Sequence, residues 1–122
     1  MKRLLCTGWL WCSATLYAAP LTQAEFDQQL ATYTQTVNQT KKVLEGQQAS
    51  QDVEVQKQAF CERLAAYRGI AELTQQNPHL EQAYLMGVIA NRYLDRQKQS
   101  MNAAGMTEQY FCGDRLKATK PQ

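Results

Sequence analysis

The chain has 122 residues, of which 13 are Lys or Arg, 11 are Asp or Glu and four are Cys. This length allows one domain and excludes large catalytic folds such as a TIM barrel or a full dinucleotide-binding domain. The formal net charge of +2 supports binding to a polyanion only if the excess of basic residues belongs to the folded domain.

Residues 1–18 have the pattern of a signal peptide. Lys2 and Arg3 form a short basic start, a mostly apolar stretch follows, and small residues at its end offer a cleavage site. We place the cleavage after Ala18, so that residues 19–122 form a single domain. An uncleaved membrane anchor is the alternative, but the apolar stretch is shorter than the about 20 residues that span a bilayer.

Cleavage changes the expected partners of the domain. Without Lys2 and Arg3 the chain has 11 basic and 11 acidic residues, so its net charge is zero. A lipid anchor is not expected either, because the bulky Trp11 directly precedes Cys12 and Cys6 lies too early for such a site. We therefore expect no nucleic-acid partner and no stable membrane anchor.

Two cysteines, Cys61 and Cys112, remain after cleavage. An even number of Cys in an exported chain predicts a disulfide, because oxidising compartments form and keep such bonds. Closing a loop between residues 51 positions apart would stabilise the fold by about 4 kcal/mol in the chain-entropy model. A redox or zinc site is the alternative, but the pair is not a Cys-x-x-Cys motif and only His79 could be a further N or S ligand.

The first predicted helix runs from about 23 to 45. Thr22 and Glu25 form a capping box at its start, and Leu21 with Phe26 has the spacing of a hydrophobic staple. Apolar residues then recur at helical spacing, with Gly46 as a plausible stop. The predicted core face comprises Phe26, Leu30, Tyr33, Val37 and Leu44, with Thr40 in the remaining slot.

The remaining pattern predicts three further helices. The second starts at Ser50 as N-cap and ends by Asn77, because Pro78 disfavours helical geometry in the residue before it. Asn77 and Pro78 are in turn a suitable cap and first position for a third helix over 78–100. A fourth is predicted over 108–118. The predicted core face of the second helix comprises Val53, Phe60, Leu64, Tyr67 and Ala71.

Apolar residues almost encircle the third helix between Tyr84 and Ala90, so we expect it to be the most buried. Gly87 in this stretch predicts close approach of another helix, and core packing is expected for Tyr84, Met86 and Tyr93. Together these patterns predict an all-α fold, a small three-to-four-helix bundle in which one disulfide ties the second helix to the fourth.

The sequence contains no phosphate-binding Gly-rich loop, no His-Glu-x-x-His pair and no Gly-x-Ser-x-Gly elbow. We expect no catalytic, cofactor-binding or metal-binding residues, and we expect the lone His79 to be an exposed residue in the first turn of the third helix. Arg92 and Arg96, one helical turn apart, could present a cationic face to an acidic partner. The alternative is that Asp95 and other acids neutralise them, or that they mark the solvent side of the helix.

These features predict an exported, periplasmic or secreted, non-enzymatic module that binds another protein of the cell envelope. Immunity or inhibitor proteins and accessories of envelope secretion systems share its size, export and helicity. An acid-stress periplasmic chaperone is the alternative, because protonation of eleven carboxylates would leave a strongly positive chain that could loosen. A homodimer is left open.

Overall fold

The computed structural model describes residues 20–47 and 49–118, with side chains described up to residue 113. This part of the chain contains four helices: α1 (Gln23–Leu44), α2 (Val53–Gln76), α3 (Ala83–Ala103) and α4 (Glu108–Ala118). The predicted all-α bundle is confirmed. The predicted signal peptide, residues 1–18, lies outside the described residues.

Helix α2 is the centre of the bundle, because each of the other three helices packs against it. Near one end, the first turns of α1 meet the last turns of α2 and the first turns of α3, which makes α2 antiparallel to both. The buried residues of this first cluster are Phe26, Leu30, Ile70, Leu73, Ala83 and Ala90.

A second cluster lies where α4 returns onto α2. Its buried residues are Cys61, Leu64, Met101 and Cys112, and Cys61 and Cys112 form the predicted disulfide with a Cα–Cα distance of 5.6 Å. The rings of Phe60 and Phe111 pack edge to face beside the disulfide, with centroids 5.5 Å apart. The disulfide and this aromatic pair hold the short α4 against the centre of the bundle.

The starts of the first two helices follow from local capping, but not always at the predicted residue. The hydroxyl of Thr22 accepts a hydrogen bond from the Glu25 amide at 3.2 Å, as expected. For α2 the predicted cap, Ser50, is wrong: Asp52 is the N-cap and accepts from the amides of Glu54 and Val55. Because carboxylates are favourable at a helix N-terminus, Asp52 has the advantage over Ser50.

The start of α3 differs from the prediction by five residues. Asn77 is buried and its side chain donates to the Leu73 carbonyl at 2.9 Å, so it closes the end of α2 instead of capping α3. Residues 78–82 form turns, and Gln82 adopts the left-handed conformation with φ of 67°. Because that conformation interrupts a right-handed helix, α3 begins only at Ala83. Helix α4 is likewise interrupted, by non-helical backbone at Gly113.

In the part of the chain that the structure describes, none of the helices has the length and apolar character needed to cross a membrane.

Candidate functional site

The side of α3 that points away from α2 carries large apolar residues in contact with solvent. Tyr84 is 84% exposed, Leu85 58% and Ile89 44%. These residues, together with Val88, Arg92 and Arg96, form what we call the α3 face.

Small residues on the opposite side of α3 explain why the large ones are exposed. Ala83, Gly87 and Ala90 are buried and recur at spacings of four and three, which places them on one side of the helix. A Cβ atom at Gly87 would lie only 2.8 Å from the Thr74 hydroxyl oxygen, so α2 and α3 are in close contact there. The expected close approach at Gly87 is therefore confirmed.

The expectation that the third helix is the most buried is wrong. Helix α2 has seven buried residues and α3 has four, because α2 contacts three helices whereas α3 is open on its outer side. Core packing is observed for Met86 and for Tyr93, whose ring stacks on that of Tyr67 with centroids 4.0 Å apart. The prediction that Tyr84 packs in the core is wrong. The predicted core position of Val53 is also wrong, since this residue is 70% exposed.

A groove of about 860 Å³ runs beside the α3 face, between the second half of α2 and α3. Thr74 and Gln75 lie on its α2 side, and its floor includes the small residues Ala83 and Gly87. Its α3 side carries Tyr84, Val88, Arg92 and Arg96. An open groove with a small-residue floor and a mixed apolar and basic rim can accept a helix or an extended segment of a partner.

Arg92 and Arg96 are both exposed and both line this groove. Within the described side chains, ion pairs form only between Arg63 and Glu45 and between Arg68 and Glu108. Asp95 therefore does not neutralise the two arginines by direct contact, although it lies in the same groove. The guanidinium groups remain accessible to a carboxylate from outside this chain.

His79 is exposed, as expected, but it lies in the turns before α3 and not in the first turn of that helix. Among the described residues, no three His, Cys, Asp or Glu side chains are close enough to hold a metal ion.

The most polar interior contacts belong to Arg63, which joins three helices. Its side chain donates to the buried Thr40 hydroxyl of α1 at 3.1 Å and to Glu45 just beyond α1 at 3.1 Å. Burial raises the pKa of the neighbouring Tyr93 phenol above its ordinary value of 10.0, although the charge and hydrogen bond of Arg63 act in the opposite direction. The polar groups around Arg63 are hydrogen-bonded to one another and are not directed towards a ligand. We therefore assign these contacts a structural role.

The sequence pattern did not indicate that Leu85 and Ile89 lie at the surface, or that a groove lies beside the helix. One signal was present: three small residues, Ala83, Gly87 and Ala90, share one side of the helix. That stripe marks the side that packs closest to a neighbour, and the larger apolar residues around it must then point elsewhere.

No protein-family model, curated protein or solved structure matches this chain.

Proposed function

We propose that this chain is an exported, non-enzymatic binding module that docks on another protein of the cell envelope through the α3 face. Export is supported by the Cys61–Cys112 disulfide, since such bonds persist mainly in oxidising compartments. It is further supported by the predicted signal peptide at residues 1–18.

The observation that carries the proposal is the exposure of Tyr84, Leu85 and Ile89 on two consecutive turns of one helix. Contiguous exposed apolar residues on a soluble domain mark interaction sites more often than isolated ones do. Aromatic and Arg side chains contribute most to binding at protein interfaces, and the α3 face includes Tyr84 as well as Arg92 and Arg96. The face therefore has the composition of a docking surface.

Affinity capture tests the proposal. The full chain, with its disulfide formed, is immobilised and exposed to envelope extract, and bound proteins are identified by mass spectrometry. We expect a partner that is retained by the unmodified chain and lost with Leu85→Asp, because a buried carboxylate in the interface would lack a counter-charge.

Tyr110→Asp is the matched control, because Tyr110 is 83% exposed but lies on α4. Far-UV circular dichroism checks that both variants fold. The proposal is wrong if no partner is retained, or if Leu85→Asp retains it as well as the control does.

An acid-activated chaperone is the second candidate, and one observation favours it. Both ion pairs formed by the described side chains join different parts of the bundle, and each depends on a carboxylate, Glu45 or Glu108. Loss of these pairs would leave Arg63 and Arg68 without their carboxylate partners, and in acid the whole chain becomes strongly positive. Loosening of α4 would then expose the apolar residues of the second cluster.

Dye binding and near-UV circular dichroism between pH 7 and about pH 2 test this second function. A chaperone of this kind would bind the dye and lose its near-UV signal in acid while keeping its helices, and it would suppress aggregation of a client protein only there. An unchanged spectrum down to about pH 2 excludes the acid-activated mechanism.

A further inference from the structure

We propose that the segment of the partner that enters the groove beside the α3 face is an amphipathic helix with two carboxylates, one turn apart, near one of its ends. This inference rests on the proposed function and names the part of the partner that docks. It follows from the geometry of the groove and from the positions of its charged residues.

Two neighbouring rows of α3 residues line the groove. Within each row the residues are four positions apart, which is the spacing that forms a ridge on the surface of a helix. The first row consists of Ala83, Gly87, Asn91, Asp95 and Gln99. The second row consists of Tyr84, Val88, Arg92 and Arg96. The space between two such ridges accepts a ridge of another helix, and helices commonly pack in this way.

At one end the groove is open down to the backbone of α3. Ala83 has only a methyl group there and Gly87 has no side chain. The side chain of Asn91 donates to the Gly87 carbonyl at 2.9 Å, so it lies along α3 and does not fill the groove. Thr74 and Gln75 of α2 form the opposite wall. A helix placed at this end would contact both α2 and α3.

A helix suits this groove better than an extended segment does. An extended segment binds well at the edge of a sheet, where its backbone amides and carbonyls find partners. The part of the chain that the structure describes offers four helices and no strand. A helix satisfies its own backbone groups. The lining extends along α3 from Ala83 to Gln99, which corresponds to about 24 Å and therefore to an occupant of about four turns.

The charged residues of the lining lie together at the other end of the groove. Of the described residues that line it, Arg92, Asp95 and Arg96 are charged. Both arginines belong to the second row, and neither forms an ion pair with a described side chain. Asp95 belongs to the first row. Two cations against one anion leave this end of the groove positive, with the positive charge on one rim.

The positions of these charges define the chemistry of the occupant. Arg92 and Arg96 are four positions apart, so their Cβ atoms are separated by about 5–6 Å, and two carboxylates three or four positions apart on the partner helix have a matching separation. Guanidinium groups bind carboxylates with strong, directional hydrogen bonds. Because like charges oppose association, the residue that passes Asp95 is uncharged or basic. Where the partner helix passes Gly87, it carries small or apolar residues.

Selection from a library of helical peptides tests this chemistry. The peptides have about 18 residues, or five turns, and the positions on one side of the helix allow Ala, Leu, Gln, Glu and Lys in equal proportion. The target is the full chain with its disulfide formed. We expect selected peptides to have two Glu three or four positions apart near one end, with Ala or Leu along the rest of that side. Selected peptides without this acidic pair, or no selected peptide at all, overturn the proposal.

Charge reversal shows where a selected peptide binds. Arg92→Glu and Arg96→Glu should each weaken its binding by about fivefold, as measured by fluorescence anisotropy, because an exposed attractive pair becomes repulsive. A peptide in which Lys replaces both Glu should bind the double variant, Arg92→Glu with Arg96→Glu, to within about threefold of the original pair. Both arginines are exposed, so the variants should keep their fold, as checked by far-UV circular dichroism.

Lys98→Glu is the matched control, because it makes the same change of charge on α3 but Lys98 does not line the groove. If Lys98→Glu weakens binding as much as Arg96→Glu does, the effect comes from the overall charge and the proposal is wrong. It is also wrong if the Lys-containing peptide fails to bind the double variant.

Capture from envelope extract separates this inference from the proposed function. A partner that is lost with Leu85→Asp but retained in full by the double variant, Arg92→Glu with Arg96→Glu, supports docking through the α3 face and overturns the acidic helix. A chain that selects acidic helices but retains no envelope partner overturns the proposed function and leaves the chemistry of the groove in place.

Discussion

Gly87 shows how a single residue sets the distance between two helices. A Cβ atom there would lie 2.8 Å from the Thr74 hydroxyl oxygen and 3.4 Å from the Thr74 Cβ. Thr74 cannot easily move away, because it is buried and its hydroxyl donates to the Ala71 carbonyl at 3.0 Å. The absence of a side chain at position 87 therefore allows the contact that turns the α3 face outward.

Gly87→Ala should destabilise the fold by about 1–2 kcal/mol, because overpacking at the contact outweighs the better helix propensity of Ala. In a Thr74→Ala background the same substitution should be neutral or stabilising by up to about 1 kcal/mol, since the obstructing hydroxyl is gone. Urea unfolding of the four chains measures both effects. If Gly87→Ala lowers the free energy of unfolding equally in the two backgrounds, the contact with Thr74 is not the cause of the destabilisation.

Tyr93 is the residue whose protonation is most clearly linked to the fold. Burial raises the pKa of its phenol above 10.0, so the folded state holds the proton more firmly than the unfolded state does. The resulting stabilisation is fully present below about pH 10, the pKa of the unfolded chain, and is lost as the pH rises through the higher pKa of the folded state.

Raising the pH above about 10 should therefore reduce the free energy of unfolding, and Tyr93→Phe should make that reduction smaller. The measurement is urea unfolding at a series of pH values from about 9 to about 11. Tyr110→Phe is the control, because it removes a phenol hydroxyl from a side chain that is 83% exposed on α4. Parallel pH profiles for the Tyr93→Phe variant and the unmodified chain would contradict the assignment.

The start of α2 shows that local sequence can offer two possible N-cap residues, of which the tertiary structure uses one. Ser50 and Asp52 are both good N-cap residue types, and Ser50 was the predicted cap. In the structure Asp52 accepts from two helix amides, whereas the Ser50 hydroxyl accepts from the Asp52 amide at 3.2 Å, outside the helix. Ser50 therefore fixes the backbone at Asp52, and Asp52 in turn caps the first turn of α2.

Asp52→Ala should cost about 1 kcal/mol of stability, within the range measured for loss of an N-cap. Ser50→Ala should cost less than half as much, because it removes one hydrogen bond outside the helix and leaves the helix amides satisfied. Thermal and urea unfolding of both variants provide the comparison. A larger loss with Ser50→Ala would restore Ser50 as the residue that caps the helix.

The sequence predicted that α3 is a helix, but it did not predict where the helix begins or which of its sides faces solvent. Its existence follows from a long run of apolar residues at helical spacing, which is a local property. Its start depends on Asn77, which is buried and bonded to the end of α2. Tertiary contacts therefore decide that Asn77 closes α2. The sequence shows only a good N-cap residue followed by Pro, and this pattern fits a cap for α3 equally well.

For the whole molecule, the disulfide is the main long-range constraint on α4. This helix has only 11 residues and contains non-helical backbone at Gly113. Besides the disulfide, it is held by the aromatic pair of Phe60 and Phe111 and by the ion pair of Arg68 with Glu108. An isolated helix of this length is marginal in water, so its attachment to α2 maintains it.

Replacing both cysteines, as Cys61→Ala with Cys112→Ala, should reduce the free energy of unfolding by about 2–4 kcal/mol. Cleaving the disulfide of the unmodified chain with a reductant should lower the free energy of unfolding by a similar amount. This comparison separates the effect of losing the bond from the effect of losing the two sulfur atoms. Hydrogen exchange should show the amides of α4 opening before those of α2. A stability change below about 0.5 kcal/mol would show that the remaining contacts suffice to hold α4.

The amino-acid sequence by itself determined the all-helical fold and the pairing of Cys61 with Cys112. Helices follow from local periodicity and capping, and the pairing follows because only two cysteines lie outside the predicted signal peptide. Tertiary structure alone decided which side of α3 meets solvent. Apolar residues nearly encircle that helix, so the pattern has no preferred side; the small residues Ala83, Gly87 and Ala90 allow the closest approach to α2, and that contact leaves Tyr84, Leu85 and Ile89 exposed.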